Sequence, residues 1–202
     1  MPWLRVRAYS DVQPPTWYLF NTESGRFVKL GSALTGLDPQ ALGSTDFVRY
    51  TARDGLELPA WLTLPPGPKQ ARPLVVLVHG GPWVRGRAWG FDREVQFLAS
   101  RGYAVLEPEF RGSAGYGERL FKAGWRQWGQ AMQNDLADGV HWAVAQGHAD
   151  ARRVCIGGAS YGGYAALMGL VRDPEVFRCR FEWVGVTDLN LMYDVGWSDM
   201  SD

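Results

Sequence analysis

Five residues, Gly158-Ala159-Ser160-Tyr161-Gly162, constrain this chain more than any other stretch. They follow the β-type run Arg153-Val154-Cys155-Ile156-Gly157 and precede the helical run Tyr164-Ala165-Ala166-Leu167-Met168. A serine flanked by glycines at a strand-to-helix junction fits a turn so sharp that its side chain stands clear of the sheet. Glycine is needed on either side because a Cβ there would strike neighbouring backbone. The helix start that follows offers free N–H groups, which favour negative charge on a reacting oxygen. In a chain with 25 glycines the pentapeptide alone is a weak pattern, and the strand before it and the helix after it give it weight.

The neighbouring segments supply a sheet for such a turn. Leu74-Val75-Val76-Leu77-Val78 is a continuous apolar run, suited to a strand buried on both faces and hence to a parallel sheet. A helix is expected after Asp92 as N-cap, with Val95, Leu98 and Ala99 on one face and Gly102 ending it. Tyr103–Leu106 is the next strand. Leu136, Val140, Ala143 and Val144 mark an amphipathic helix over 134–146 that packs on the sheet. Trp183–Val186 is expected as a further strand. Strands alternating with helices give an α/β fold with a doubly wound, mostly parallel sheet. Phe47–Thr51 and Leu58–Leu64 are expected as a hairpin turning at Asp54-Gly55. Residues 1–45 read separately: Thr16–Phe20 and Arg26–Leu30 as a second hairpin, 31–45 as a Gly-, Ser-, Thr- and Pro-rich linker.

Composition narrows the function classes. Lys+Arg and Asp+Glu both number 21, so no net charge argues for a nucleic-acid partner. No apolar run approaches the roughly 20 residues of a membrane span. No Cys/His cluster has metal-ligand spacing, and neither a metal nor a cofactor is expected. The two cysteines are too few for a disulfide framework, and Cys155, in its apolar run, is expected to be a buried, inert thiol. Met1-Pro2-Trp3-Leu4-Arg5 opens no signal-peptide pattern, which points to a cytoplasmic location if Met1 is the natural start.

A second chemical signal is His79-Gly80-Gly81-Pro82, directly after the Leu74–Val78 strand. Acyl transfer needs donors aimed at the developing oxyanion. In this fold one donor is the N–H after the nucleophile, here Tyr161, and the other comes from the loop after the third strand, here assigned to Gly81. His79 is read as a brace of that loop rather than a catalytic base. Three segments in order, His79–Pro82, Phe110-Arg111-Gly112-Ser113-Ala114-Gly115-Tyr116-Gly117 and Gly157–Tyr164, resemble the prolyl oligopeptidase family of serine peptidases, in its acylaminoacyl-peptidase and dipeptidyl-peptidase branch. The similarity runs from about Val48 to Asp194. It implies an α/β-hydrolase domain over 46–202, Ser160 as nucleophile, short peptides as substrate, and a preceding β-propeller of which 1–45 would carry the last hairpin. Pro82, where esterases commonly carry a further glycine, favours the peptidase branch over a carboxylesterase.

The chain also departs from that pattern. The order in this fold is serine, acid, histidine, yet His79, His141 and His148 all precede Ser160. Of the aspartates among the 42 residues after it, Asp188 comes one strand too early for the acid, and Asp194, Asp199 and Asp202 have no context. The 157 residues of 46–202 fall short of the roughly 200–250 common for a single α/β domain. The expectation is a sheet incomplete at its C-terminal edge, a chain cut at both ends and inactive alone, and self-association through the exposed edge strand. Trp125, Trp128 and Trp142 are expected to pack rather than stack on substrate, and Arg111 with Glu118 to brace a loop.

Overall fold

The computed structural model describes residues 2–190. Nine strands and four α-helices run in the order β1 (Trp3–Ala8), β2 (Thr16–Asn21), β3 (Phe27–Ser32), β4 (Ser44–Thr51), β5 (Glu57–Leu64), β6 (Arg72–Val78), α1 (Arg93–Ala99), β7 (Ala104–Pro108), α2 (Glu118–Ala123), α3 (Ala131–Ala145), β8 (Ala149–Ala159), α4 (Tyr161–Arg172) and β9 (Cys179–Trp183). Strands β1–β3 form a small antiparallel sheet, and the other six form a mixed sheet in the order β4-β5-β7-β6-β8-β9. Strands β7, β6, β8 and β9 are parallel, with β4 and β5 added antiparallel at one edge.

The large sheet is covered on both faces, as its apolar strands require. Leu74, Val76, Leu106, Val154 and Ile156 join Leu136 and Val140 of α3 and Ala165 and Ala166 of α4 in one core. The alternate residues Val75 and Val105 face the other way and are also fully buried, on the side where α1 contributes Val95 and Ala99. Asp92 caps α1 as expected, its Oδ1 accepting from the N–H groups of Glu94 and Val95. The charges at the β4–β5 end are organised by Asp135 of α3. Its carboxylate, fully buried, accepts from the backbone N–H and the guanidinium of Arg111, which also reaches Asp54 in the β4–β5 turn. Arg53 in the same turn pairs with Asp138.

Four expectations change. The first hairpin is a three-stranded sheet: Trp3-Leu4-Arg5-Val6-Arg7-Ala8 pairs antiparallel with β2, its apolar and charged residues alternating as in a half-exposed strand. The sheet docks on the rest of the chain through Asp11, whose side chain accepts from Thr45 N–H and whose carbonyl accepts from Gln96. The last strand is Cys179–Trp183 rather than 183–186. Val184 sits at φ 50°, in the left-handed region that a β-branched residue rarely adopts, so the apolar Val-Gly-Val run turns instead of extending. Cys155 is not a buried thiol. It lies opposite Cys179 in the β8–β9 register with Cα atoms 4.6 Å apart, and the two are disulfide-bonded. Finally, Arg111 pairs with Asp135 and Asp54 rather than with Glu118, which pairs with Lys122.

The Arg111–Asp135 pair is buried on both sides, and removing Asp135 leaves the buried Arg111 guanidinium with only the half-exposed Asp54 as partner. Asp135→Ala is expected to cost about 3–5 kcal/mol in urea unfolding, whereas Arg49→Ala, which breaks the exposed Arg49–Glu57 pair, is expected to cost under about 1 kcal/mol. Equal, small costs would show that the buried network contributes no more than a surface pair.

Candidate active site

Ser160 stands between β8 and α4 with φ 55° and ψ −119°, outside the comfortable region for a residue with a side chain. The strain is held by close backbone packing. A Cβ on Gly158 or Gly162 would collide with the Val78 carbonyl at the end of β6, so the turn folds only with glycine at both positions. The Ser160 side chain is exposed, and among the described residues nothing hydrogen-bonds its hydroxyl. The last turn of β9 clasps the same point: Ser160 N–H donates to Trp183 carbonyl and Val186 N–H to Ser160 carbonyl, at 3.3 and 3.4 Å. Helix α4 starts at Tyr161, whose N–H has no backbone partner among the described residues.

The loop after β6 lies against this turn. A Cβ built on Gly80 would sit 3.4 Å from Ser160 Cβ, which places the backbone of that loop beside the serine. Gly81 is exposed with φ 113°, and its N–H is likewise free of backbone partners among the described residues. His79 holds the loop's shape. Its Nδ1 lies 2.7 Å from the Gly80 carbonyl, its Nε2 lies 2.9 Å from Ser113 Oγ, and its ring stacks on Phe110 at 4.4 Å. Both ring nitrogens are thus occupied away from Ser160, in keeping with a bracing role. The neutral ring with its proton on Nδ1 satisfies both contacts, since it then donates to the carbonyl and accepts from the hydroxyl. Burial pushes the His79 imidazole below its usual range, against the pull of the Gly80 carbonyl and the Glu109 carboxylate.

Four side chains with no role assigned from the sequence complete the scaffold: Glu109, Arg87, Glu107 and Ser113. Glu109, 1% exposed, accepts from the N–H groups of Gly86 and Arg87 and so pins the far end of the same loop. Arg87 pairs with Glu107, whose carboxyl burial pushes up to about 7 despite that cation. Ser113 holds His79. Glu109 immediately precedes the Phe110–Gly117 motif and Ser113 lies within it, and that placement was the available signal. A cavity of about 190 Å³ beside the loop is lined by Gly80, Arg87, Asp92, Glu107, Glu109 and Trp183 among others.

The remaining candidates are not brought to the serine. His141 is exposed on α3. His148 precedes β8, at the end of the strand opposite Ser160. Asp188 accepts from Asn190 N–H in a local turn. Asp194, Asp199 and Asp202 lie outside the described residues. Trp128 packs edge-on against Tyr161 at 4.6 Å and Trp142 stacks on Tyr50 at 6.0 Å, both in packing roles. Trp125 differs, being 53% exposed beside Phe121. Among the described residues no group of three or more His, Cys, Asp or Glu side chains could hold a metal ion, and no helix is long and apolar enough to cross a membrane.

Comparison with known proteins gives this geometry a lineage. The profile of the prolyl oligopeptidase family matches residues 89–199. The chain is 42% identical over 196 residues to dipeptidyl aminopeptidase BIII of Pseudoxanthomonas mexicana, covering 93% of this chain and 28% of that protein. It is 34% identical to dipeptidyl peptidase family member 6 of Caenorhabditis elegans, again over 93% of this chain and 28% of the relative. Among solved structures, a puromycin-hydrolyzing peptidase of Mycobacterium tuberculosis superposes with a TM-score of 0.80 at 28% identity, covering 96% of this chain and 31% of that one. The acylaminoacyl peptidase of Pyrococcus horikoshii superposes with a TM-score of 0.71 at 26% identity, covering 92% and 30%. The chain therefore spans less than a third of the length of these relatives.

Two predictions follow from the packing. Gly162→Ala is expected to destabilise the fold by about 1–3 kcal/mol or more, because its Cβ meets rigid backbone; a neutral effect in chemical unfolding would mean that the β6 end can move away. Below the usual imidazole value near 6.5 the unfolded chain takes up a proton that native His79 resists, so stability falls as pH drops through that point. Burial pushes His148 in the same direction. Subtracting the unfolding profile of His79→Gln between pH 7.5 and 5 from the wild-type profile is expected to leave a residual slope, and identical profiles would show that His79 is not held neutral.

Proposed function

The chain belongs to the prolyl oligopeptidase family of peptidases, and on that premise we propose that Ser160 is the nucleophile of a serine peptidase acting on short peptides. The single observation that carries this reading is the strained, exposed Ser160 at a strand-to-helix turn, with the Gly80-Gly81 backbone packed beside it. In the proposed reaction, Ser160 Oγ attacks the carbonyl carbon of the scissile peptide bond and forms an acyl-enzyme, and water then releases the acyl group. The free N–H groups of Gly81 and Tyr161 are assigned to the developing oxyanion. Preorganised backbone donors of this kind are worth about 3–4 kcal/mol each in acyl transfer. The Asp135–Arg111 and Glu109 contacts have no part in the chemistry. They hold the loop that carries Gly81.

The peptide substrate is supported by the names of the relatives, a dipeptidyl aminopeptidase and a dipeptidyl peptidase. Sheet β1–β3 is read as part of a propeller blade, with 1–45 as that unit and 46–202 as the hydrolase part. A cytoplasmic site of action is the less favoured reading, because a disulfide such as Cys155–Cys179 is rare there. The short edge strand β9 offers a route to self-association, although Arg180 and Glu182 on it discourage pairing.

A second reading has its own observation. None of the three histidines is placed on Ser160, so residues 2–190 present the nucleophile turn without a base, and this chain by itself is then a non-catalytic piece of peptidase ancestry. Loss of a triad member costs several orders of magnitude in rate. The two readings separate on an aminoacyl-anilide. Turnover by the folded chain, lost in Ser160→Ala, supports the peptidase. No turnover by a folded chain supports the second reading. Turnover of a short acyl ester alone would instead point to a carboxylesterase.

A further inference from the structure

The Cys155–Cys179 pair lies where it can act on the nucleophile turn. Cys155 is on β8 and Cys179 on β9, directly opposite in register, and both strands then run to the same point. Strand β8 ends at Ala159, next to Ser160, and β9 ends at Trp183, whose carbonyl accepts from Ser160 N–H. From there the chain turns through Val184, in the left-handed region, and Val186 N–H returns to the Ser160 carbonyl. Glu182 closes the turn by accepting from Gly185 N–H at 2.9 Å, and a Cβ on Gly163 would meet Gly185 Cα, so the turn rests directly on the first residues of α4. A β-branched residue with positive φ persists only where its surroundings over-determine it. Here the surroundings are one edge strand, paired on one side only among the described residues, and the covalent bond that fastens it.

We propose that Cys155–Cys179 is a site of reversible thiol–disulfide exchange that sets how firmly the β9 turn holds the Ser160 elbow. Its consequence for catalysis rests on the reading of Ser160 as nucleophile, but the structural coupling does not. The geometry suits attack from solvent: Cys179 is exposed and Cys155 half-buried. A thiolate of a dithiol reductant attacks Cys179 Sγ, the Cys155 sulfur leaves as thiolate and is protonated, and a mixed disulfide forms. The reductant's second thiolate then attacks its own sulfur in that mixed bond and releases Cys179, so the reductant ends as a disulfide and the protein gains two electrons and two protons. Reduction leaves β9 attached by its hydrogen bonds to β8 and its packing on α4 alone, at the sheet edge where local opening is cheapest.

The test uses the full chain, purified without reductant and then compared with and without dithiothreitol. Iodoacetamide is expected to label both cysteines only after reduction, read by intact mass. Amide exchange over 180–186 and 160–163 is expected to accelerate about tenfold or more on reduction and to slow again on reoxidation, while exchange in β6 stays unchanged. A Cys155→Ser/Cys179→Ser double variant is expected to show the fast exchange with or without dithiothreitol. If that variant does not fold, the oxidised and reduced wild-type comparison decides alone. The proposal is overturned if both cysteines label in the folded protein without reductant, or if complete reduction leaves exchange at the elbow unchanged. A serine that never reacts with an acylating probe would sink the nucleophile reading while leaving this coupling standing.

Discussion

Everything at the candidate site depends on how closely the end of β6 approaches the turn after β8. The Val78 carbonyl packs where Cβ atoms would stand on Gly158 and Gly162. That contact forces the positive φ of Ser160, lifts its side chain out of the sheet, and brings the loop that follows Val78 against the serine. One steric fact thus sets both the exposure of Ser160 and the nearness of the Gly80-Gly81 backbone. A larger residue at either glycine would separate the two strands' ends and dissolve both features together.

A second layer keeps that arrangement in place. The loop after β6 makes no regular structure before α1, and it is fixed by side chains arriving from β7 and from the segment after it. Glu109 takes two of its N–H groups, Ser113 takes His79, and Arg111 is anchored on buried Asp135. A buried ion pair adds little stability over an apolar substitute, yet removing half of it is costly. Its value here is positional: it fixes the Arg111–Ser113 segment, which fixes His79, which fixes Gly80. These contacts, linked through the Arg111–Ser113 backbone, join α3 to the loop after β6.

The core strands and the elbow were legible in the sequence because their signals are local. Leu74–Val78 is apolar throughout, Asp92 caps its helix, and Gly158–Gly162 lies between a β-type and a helical run. What was not legible depends on distant partners. Trp183–Val186 reads as a strand by composition, but Gly185 must meet Gly163 and Val184 bends to allow it. Cys155 reads as an apolar core residue until the parallel register puts Cys179 opposite it. Arg111 reads as the partner of a nearby glutamate, whereas Asp135, 24 residues on, holds it from another element. Glu109 carried no pattern of its own, since its role exists only once the β6 loop folds over it.

The most direct test of the central claim is reaction of the protein from its native source with a fluorophosphonate, followed by intact mass and peptide mapping. The account predicts a single adduct on Ser160, carried by a species well above the 22.5 kDa of this chain, in which the rest of the catalytic groups are supplied. Adduct on a different serine, or a working peptidase in which Ser160 stays unmodified, would contradict it.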